Sequence, residues 1–459
     1  MPPTQWRRST HVVIGVSVVL LVVAVEAMQR GRGGQQFGHR RRLHRYVSAL
    51  RPQLFAGRRV GDPAGEVAQV RIGQGRRQRR GQLVGRGLAR GIRYGLDVGV
   101  GGGKRGYRWE GAGIAGFAAS KQRRGDHDRD VRLTTKVLAS DHRPGVVVLK
   151  GGGDPTLSAA PKGQDTWYRD AARISDLADQ VRRAGTQVTS VAVDISAFSG
   201  PTMAPGWDPL DIDGGDMAPM EAVMLDGGRT QPVSVDSARS RTPALDAGRA
   251  LADALRVDPA TVTVMSTSFE GDEIASVQSP PLMERLREMM NNSDNVMAES
   301  IGRELAAAQG KPQSFDGAVR AVLGELNNAD IDTGGSRLMD CSGLSVDDRL
   351  TAETLDEAVN AAAGPDQPKL RPLVDLMPIA GGSGTLSNRF LDTDAGRAST
   401  GWLRAKTGSL TGTNSLVGIV TDASGRVLTF ALLSNNAGPS GRTALDAFAA
   451  TLRSCGCGS

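Results

Sequence analysis

The chain changes character near residue 130, and that break limits what each part can fold into. Gln29 to Asp130 holds 22 Arg, 23 Gly and 2 Lys against 7 acidic residues in 102 positions. It carries no sustained apolar period of 2 or 3.6, so little of it can bury enough surface to offset its ordering entropy. Val131 to Ser459 reverses the balance, with 30 basic and 41 acidic residues. The whole-chain charge of +7 therefore describes neither part. A uniformly basic nucleic-acid binder does not fit, and a length of 459 residues allows about three domains.

Histidine and cysteine usage excludes further classes. The five His are His11, His39, His44, His127 and His142, so the last 317 residues hold none. No Ser-His-Asp triad, Cys-His pair or His-ligated zinc can be assembled from that region alone. The three Cys, at 341, 455 and 457, are too few and too badly spaced for a four-ligand metal site. No cofactor or metal is implied.

At the N-terminus, Trp6-Arg7-Arg8 precedes the apolar run Val12 to Val25. A positive flank before a short apolar stretch predicts a signal peptide or signal anchor over residues 1–28, with membrane contact through residues 12–25. The run is short for a full span, which takes about 20 apolar residues. An exported protein of the cell envelope is expected.

Residues 29–130 invite two nucleotide readings. Gly31-Arg32-Gly33-Gly34 resembles an RNA-binding Arg/Gly segment, which conflicts with export. Gly101-Gly102-Gly103-Lys104 is followed by Arg105 and preceded by Val98 where a phosphate loop needs Ser or Thr and Gly. Two other readings stay open. One is a disordered polycation touching anionic lipid or wall polymer. The other is GC-rich DNA translated out of frame, with the frame lost near Val25 and regained near Asp128.

From Val131 onward, strands are predicted at Val146 to Leu149 and Val188 to Ile195, with a helix over Asp165 to Arg183 between them. Pro243 to Leu255, Leu282 to Met290, Val296 to Ala308 and Thr443 to Arg453 read as helices. Ser415 to Thr421 and Val427 to Leu433 read as a hairpin around Asp422-Ala423-Ser424-Gly425. Mixed strands and helices point to one α/β-type domain over 131–459 with a smaller inserted subdomain at about 150–280.

Three polar clusters interrupt these elements: Ser293-Asp294-Asn295, Asp340-Cys341-Ser342-Gly343-Leu344-Ser345 and Lys406-Thr407-Gly408-Ser409. Singly, the first reads as a helix cap and the third as a solvated strand end. In this order, Ser-x-Asn between helices and Lys-Thr-Gly on a strand form the pattern of penicillin-recognising serine enzymes. That chemistry activates serine with lysine, so it needs no histidine.

With Leu149 to Ser158 (LKGGGDPTLS), Pro205-Gly206-Trp207-Asp208, Asp226-Gly227-Gly228-Arg229 and Gly384-Thr385-Leu386 before Arg389-Phe390, the chain resembles the D-alanyl-D-alanine carboxypeptidase/endopeptidase family of class C low-molecular-weight penicillin-binding proteins. The resemblance runs from about Arg132 to the C-terminus. It implies a penicillin-binding-protein/β-lactamase-like transpeptidase domain, an α/β (α+β) fold whose antiparallel sheet is flanked by helices. It also implies peptidoglycan stem peptides ending in D-Ala-D-Ala as substrates, β-lactams as inhibitors and no nucleic-acid partner. Ser293, helped by Lys406, would shuttle a proton, and Asn295 would hold the substrate amide side and the catalytic lysine. Lys406 and Thr407 would bind the terminal carboxylate, Gly408 would let substrate lie along the strand, and the Ser409 N–H would be half of an oxyanion hole.

The family's Ser-x-x-Lys is expected within Arg105 to Lys121, and that window holds only Ser120-Lys121; no Ser-x-x-Lys occurs anywhere in the chain. Adjacent residues on a helix point apart whereas i and i+3 share a face, so Ser120-Lys121 cannot stand in. Without nucleophile and base, turnover should fall by about 10⁶. A non-catalytic wall-binding relative is the alternative. Cys341 can pair with Cys455 or Cys457 in an exported protein, or all three can be free thiols.

Overall fold

The computed structural model describes residues 70–74, 131–438 and 440–454. The apolar run at 12–25, Ser120-Lys121, Cys455 and Cys457 lie outside these residues, as does the basic stretch apart from 70–74. Among the described residues no helix is long and apolar enough to cross a membrane.

Two sheets organise the described residues. The first has the order β1-β9-β8-β7 and is antiparallel throughout, built from β1 (Val70–Gln74), β7 (Leu403–Leu410), β8 (Thr413–Thr421) and β9 (Val427–Asn435). Its edge strand β1 comes from the basic stretch and pairs with Leu428 to Leu432 of β9. The hairpin read from the sequence is β8–β9; Asp422 closes its turn by accepting the Ser424 and Arg426 N–H groups.

Alternation along these strands makes two apolar faces. Leu403, Ala405, Leu416, Val420, Leu428, Phe430 and Leu432 pack with Leu445, Ala449 and Leu452 of the last helix, Gly441–Ser454. Val417, Ile419, Ala431 and Leu433 face the other way, into a helical layer containing Leu286, Met289, Ile301, Leu355 and Val359.

The second sheet, order β5-β4-β3-β2-β6, takes residues 134–278. Its strands are β2 (Thr134–Ala139), β3 (Val146–Lys150), β4 (Ser190–Asp194), β5 (Thr263–Met265) and β6 (Asp272–Gln278). β3, β4 and β5 run parallel, and β2 is antiparallel to both β3 and β6. Helices Ile174–Arg183 and Pro243–Leu255 cover it, burying Leu177, Val181, Ala247 and Leu251 against Val147, Leu149, Val191 and Val193.

One predicted element is shorter than expected. The helix assigned to Asp165–Arg183 begins only at Ile174. Asp170 takes a left-handed φ of 55°, and Arg173 is held extended by its bridge to Ser158, so the amphipathic pattern before Ile174 belongs to a loop.

The helices that matter for the site are α1 (Leu282–Asn292) and α2 (Asn295–Ala308), joined by Ser293 and Asp294 alone. Helix α2 is buried along most of its length. The DCSGLS loop packs beneath it: Glu299 Oε1 accepts the N–H groups of Cys341 and Ser342, each at 2.8 Å. Asp340 in turn accepts from Gly343, Ser345 and the Trp207 indole at 2.6–2.7 Å. This loop is a support knitted by backbone donors. Cys341 in it is a buried free thiol, pushed up well above its ordinary range by burial.

Candidate active site

The site forms where the α1–α2 turn meets strand β7. Ser293 ends α1 in a left-handed conformation (φ 55°, ψ 43°), which a non-glycine residue adopts at a cost of about 1–3 kcal/mol. Asp294 then starts α2 as its N-cap, its Oδ1 accepting the Met297 N–H at 3.0 Å. A helix stop followed at once by a helix start leaves the Ser293 side chain half-exposed on the turn.

The cap is anchored from behind. Asp294 Oδ2 accepts the Tyr168 hydroxyl at 2.8 Å and lies 3.8 Å from Nη2 of Arg229, whose guanidinium stacks on Trp167 at 3.7 Å. Burial and the Asp294 carboxylate push Tyr168 well above its ordinary range, so it remains a donor. Asn295, first residue of α2, donates from Nδ2 to the Asp216 carbonyl at 2.9 Å.

Lys406 comes from β7. Leu403 and Ala405 point into the apolar face under the last helix, so alternation sends Lys406 to the opposite face, across from Val417. Its side chain is fully buried, and its Nζ lies 2.6 Å from Ser293 Oγ and 2.9 Å from the Thr407 carbonyl. Among the described residues no carboxylate pairs with it. Burial therefore lowers its pKa from the usual 10.5 to about 7. Near neutrality this amine exists in both forms, able to take a proton from Ser293 or to carry charge toward an anion.

The outer edge of β7 is open where chemistry would need it. The Ala405 N–H bonds Pro378 and the Leu403 carbonyl accepts from Ala380, so odd-numbered backbone groups face outward. Continuing that alternation, Thr407 and Ser409 turn theirs to the same edge. Gly408 is buried between them opposite Ser415, and Ser409 is exposed. The Thr407 hydroxyl donates to Thr385 Oγ1 at 3.0 Å.

Thr385 sits on the short 3-10 turn Gly384–Leu386, whose Leu386 is fully buried. Gly384 has φ +54°, and a Cβ there would lie 2.8 Å from the Asn291 carbonyl oxygen at the end of α1. Gly384→Ala should therefore cost about 1–3 kcal/mol. The thermal midpoint of the variant checks this; a melt unchanged from wild type would show that the turn is not pressed on α1.

Of the six residues expected from sequence, the structure brings Ser293 and Lys406 into direct contact and sets Thr407, Gly408 and Ser409 along one strand edge. Asn295 lies beside them with its amide turned to Asp216. Tyr168, Arg229 and the Thr385 hydroxyl were not assigned roles from sequence. Arg229 and Thr385 lie in motifs already noticed, whereas Tyr168 gives no sequence signal, since its partner Asp294 is 126 positions away.

The family model for D-Ala-D-Ala carboxypeptidase 3 (S13) matches residues 125–239 and 231–452. The chain belongs to this family. Residues 1–30 also match the N-terminal domain model of Rv3627c-like carboxypeptidases. Among curated relatives, "Carboxypeptidase DacB" of Mycolicibacterium smegmatis is 60% identical over 470 aligned residues, covering 100% of both chains. "Carboxypeptidase Rv3627c" of Mycobacterium tuberculosis is 52% identical over 472 residues with the same coverage. Among solved structures, penicillin binding protein 4 from Haemophilus influenzae superposes with a TM-score of 0.55 at 22% identity, over 68% of this chain and 81% of that one. That likeness gives the fold: the α/β architecture of the penicillin-binding and β-lactamase-like domains, with helices flanking the sheets. The S13 family is a family of peptidases, hydrolases that include penicillin-binding proteins.

Proposed function

We propose that this S13 chain carries the recognition half of a serine D-Ala-D-Ala carboxypeptidase site and binds peptidoglycan stem peptides without hydrolysing them. The observation that carries the reading is the buried Lys406 ammonium, 2.6 Å from Ser293 and unpaired with any carboxylate among the described residues. An ammonium has three N–H bonds. Two are directed at Ser293 Oγ and the Thr407 carbonyl, which leaves one for a substrate carboxylate at the β7 edge.

In the reaction of this class, a serine oxygen attacks the penultimate D-Ala carbonyl and loses its proton to a base. The C–N bond breaks, the terminal D-Ala leaves with a proton delivered through Ser293, and water resolves the acyl-enzyme. The Ser409 N–H on the open edge of β7 would steady the oxyanion. The sequence holds no Ser-x-x-Lys to supply attacking serine and base, so turnover is expected to be about 10⁶ lower than an intact site gives. The family pattern covers both carboxypeptidase cleavage and endopeptidase cleavage of crosslinks.

Export to the cell envelope, through the Arg pair and the apolar run at 12–25, is part of the same proposal. For residues 29–130 we favour the out-of-frame origin. The composition change supports it, and so do the limits of the two family-model matches, which stop at 30 and resume at 125, near Val25 and Asp128, while the alignments to the two mycobacterial relatives run through this stretch. Translating the coding DNA in all three frames tests it; finding no Ser-x-x-Lys in an alternative frame would sink it.

The test of function is acylation. Incubation of the full chain with a fluorescent penicillin, followed by mass spectrometry of its peptides, should yield no labelled serine. A labelled serine peptide would overturn the non-hydrolytic reading and identify the nucleophile.

A further inference from the structure

We infer that Thr385 is a second carboxylate-binding hydroxyl, forming with Thr407 and Lys406 a three-donor pocket that selects a free C-terminus over a blocked one. This rests on the proposed recognition of D-Ala-D-Ala stem peptides and adds a residue to it from a different element of the fold.

The argument begins with hydroxyl bookkeeping. The Thr407 side chain is buried and lies beside the open edge of β7, with the Thr385 hydroxyl 3.0 Å away. Thr407 directs its single O–H at Thr385. When a carboxylate arrives, the Thr407 proton can turn to it, which leaves the Thr407 oxygen free to accept and the Thr385 O–H free to donate. A hydroxyl both donates and accepts, so Thr385 can do either: donate to Thr407 Oγ1, or donate directly to the second carboxylate oxygen. A carbon at the same place could do neither.

The placement is rigid, which is what a selective contact needs. Gly384 holds the turn against the Asn291 carbonyl at the end of α1. Leu386 is buried against Leu403 and Ala405 of the site strand's apolar face. The Leu386 carbonyl accepts the Gly381 N–H at 2.9 Å, and Ile379 bridges to Arg404 of β7. Thr385 is thus tied both to the helix that ends at Ser293 and to the strand that carries Lys406. Its own side chain remains half-exposed, so a ligand can reach it.

The reading predicts discrimination between anionic and neutral ends. A carboxylate accepts several charge-assisted hydrogen bonds, whereas a C-terminal amide accepts fewer and repels an ammonium donor with its own N–H groups. The measurement is calorimetric binding of an acetylated tripeptide ending in D-Ala-D-Ala, and of its C-terminal amide, to the full chain at pH 6. Thr385→Val keeps the shape and removes the hydroxyl; Thr385→Ser keeps the hydroxyl.

We expect Val to weaken binding of the acid about tenfold, to leave the amide within about twofold, and Ser to restore the acid. Equal losses for acid and amide, or no loss for either, would overturn the role of Thr385 while wild-type binding of the acid leaves the underlying reading standing. Failure of the wild-type chain to prefer the acid over the amide would overturn both. Unchanged thermal midpoints for Val and Ser separate lost binding from lost fold.

Discussion

Glu299→Ala is expected to lower the unfolding free energy by about 3–5 kcal/mol, a large part of what holds a typical domain together. Glu299 is fully buried in α2, and its Oε1 is the acceptor for the Cys341 and Ser342 N–H groups. Its Oε2 lies 3.3 Å from Nη1 of Arg303, itself buried and stacked over Phe315 at 4.1 Å. Alanine would strand two buried N–H donors and a buried guanidinium together. Glu299→Gln keeps the acceptor for the loop and should cost less. Denaturant midpoints for the two variants check this, and an Ala variant no worse than Gln would show that the loop does not depend on the carboxylate.

The same residue gives a pH slope of defined sign. Burial first, and the Asp340 carboxylate second, push Glu299 from the usual 4.5 up to about 7. Between those values the folded protein keeps a proton that the unfolded chain has released. The contribution is fully present below about pH 4.5 and is lost as pH rises through about 7. Gln does not titrate. Wild type should therefore lose stability relative to Glu299→Gln across that window; a constant difference would contradict it. Asp348 in the same loop is pushed up to about 10 by burial and by Asp340, and so stays protonated at neutral pH.

Lys406→Met should weaken binding of a D-Ala-D-Ala-terminated peptide about a hundredfold at pH 6, because the charge-assisted contact is lost in a desolvated place. Wild-type affinity should fall as pH rises through about 7, where the buried amine loses its proton. A neutral amine has only two N–H bonds, and Ser293 and the Thr407 carbonyl already take them. The Met variant should show no such pH dependence. If wild-type affinity is flat from pH 6 to pH 9, the carboxylate is held by something other than Lys406.

Stability should move in the opposite sense. Lys406 is held at about 7 in the folded protein against 10.5 when exposed, so the unfolded chain binds the extra proton between these values. Wild-type stability therefore rises with pH across that window as the penalty of burying a cation disappears. Relative to wild type, Lys406→Met should be most stabilised below about pH 7 and should lose that advantage toward pH 10.5. Binding lost while stability is gained is the expected mark of a residue kept for function.

Much of this was legible in the residues themselves. The β8–β9 hairpin follows from two β-branched apolar runs around Asp422-Ala423-Ser424-Gly425, because period-2 patterning and turn chemistry are local. Ser293-Asp294-Asn295 announced a helix start, and Asp294 is indeed the N-cap of α2. No helix forms before Ile174, because an amphipathic pattern does not encode the left-handed backbone of Asp170 or the pinning of Arg173 to Ser158. Strand β1 gave no sequence signal either, since five residues of Val70–Gln74 acquire meaning only when β9 offers a partner edge.

The sequence by itself determined which groups are available: a Ser-x-Asn at 293–295, one Lys-Thr-Gly, no histidine beyond His142 and no Ser-x-x-Lys. Those are facts of composition and order, independent of conformation. The tertiary structure alone decided what the groups can do. It set Lys406 on the face of β7 opposite the last helix, removed it from water, and brought it to Ser293, 113 positions away in sequence. It also placed the Thr385 hydroxyl beside Thr407 and the Tyr168 hydroxyl behind Asp294. Charge and hydrogen bonding act over a few ångströms in space, and distances along the chain do not specify them.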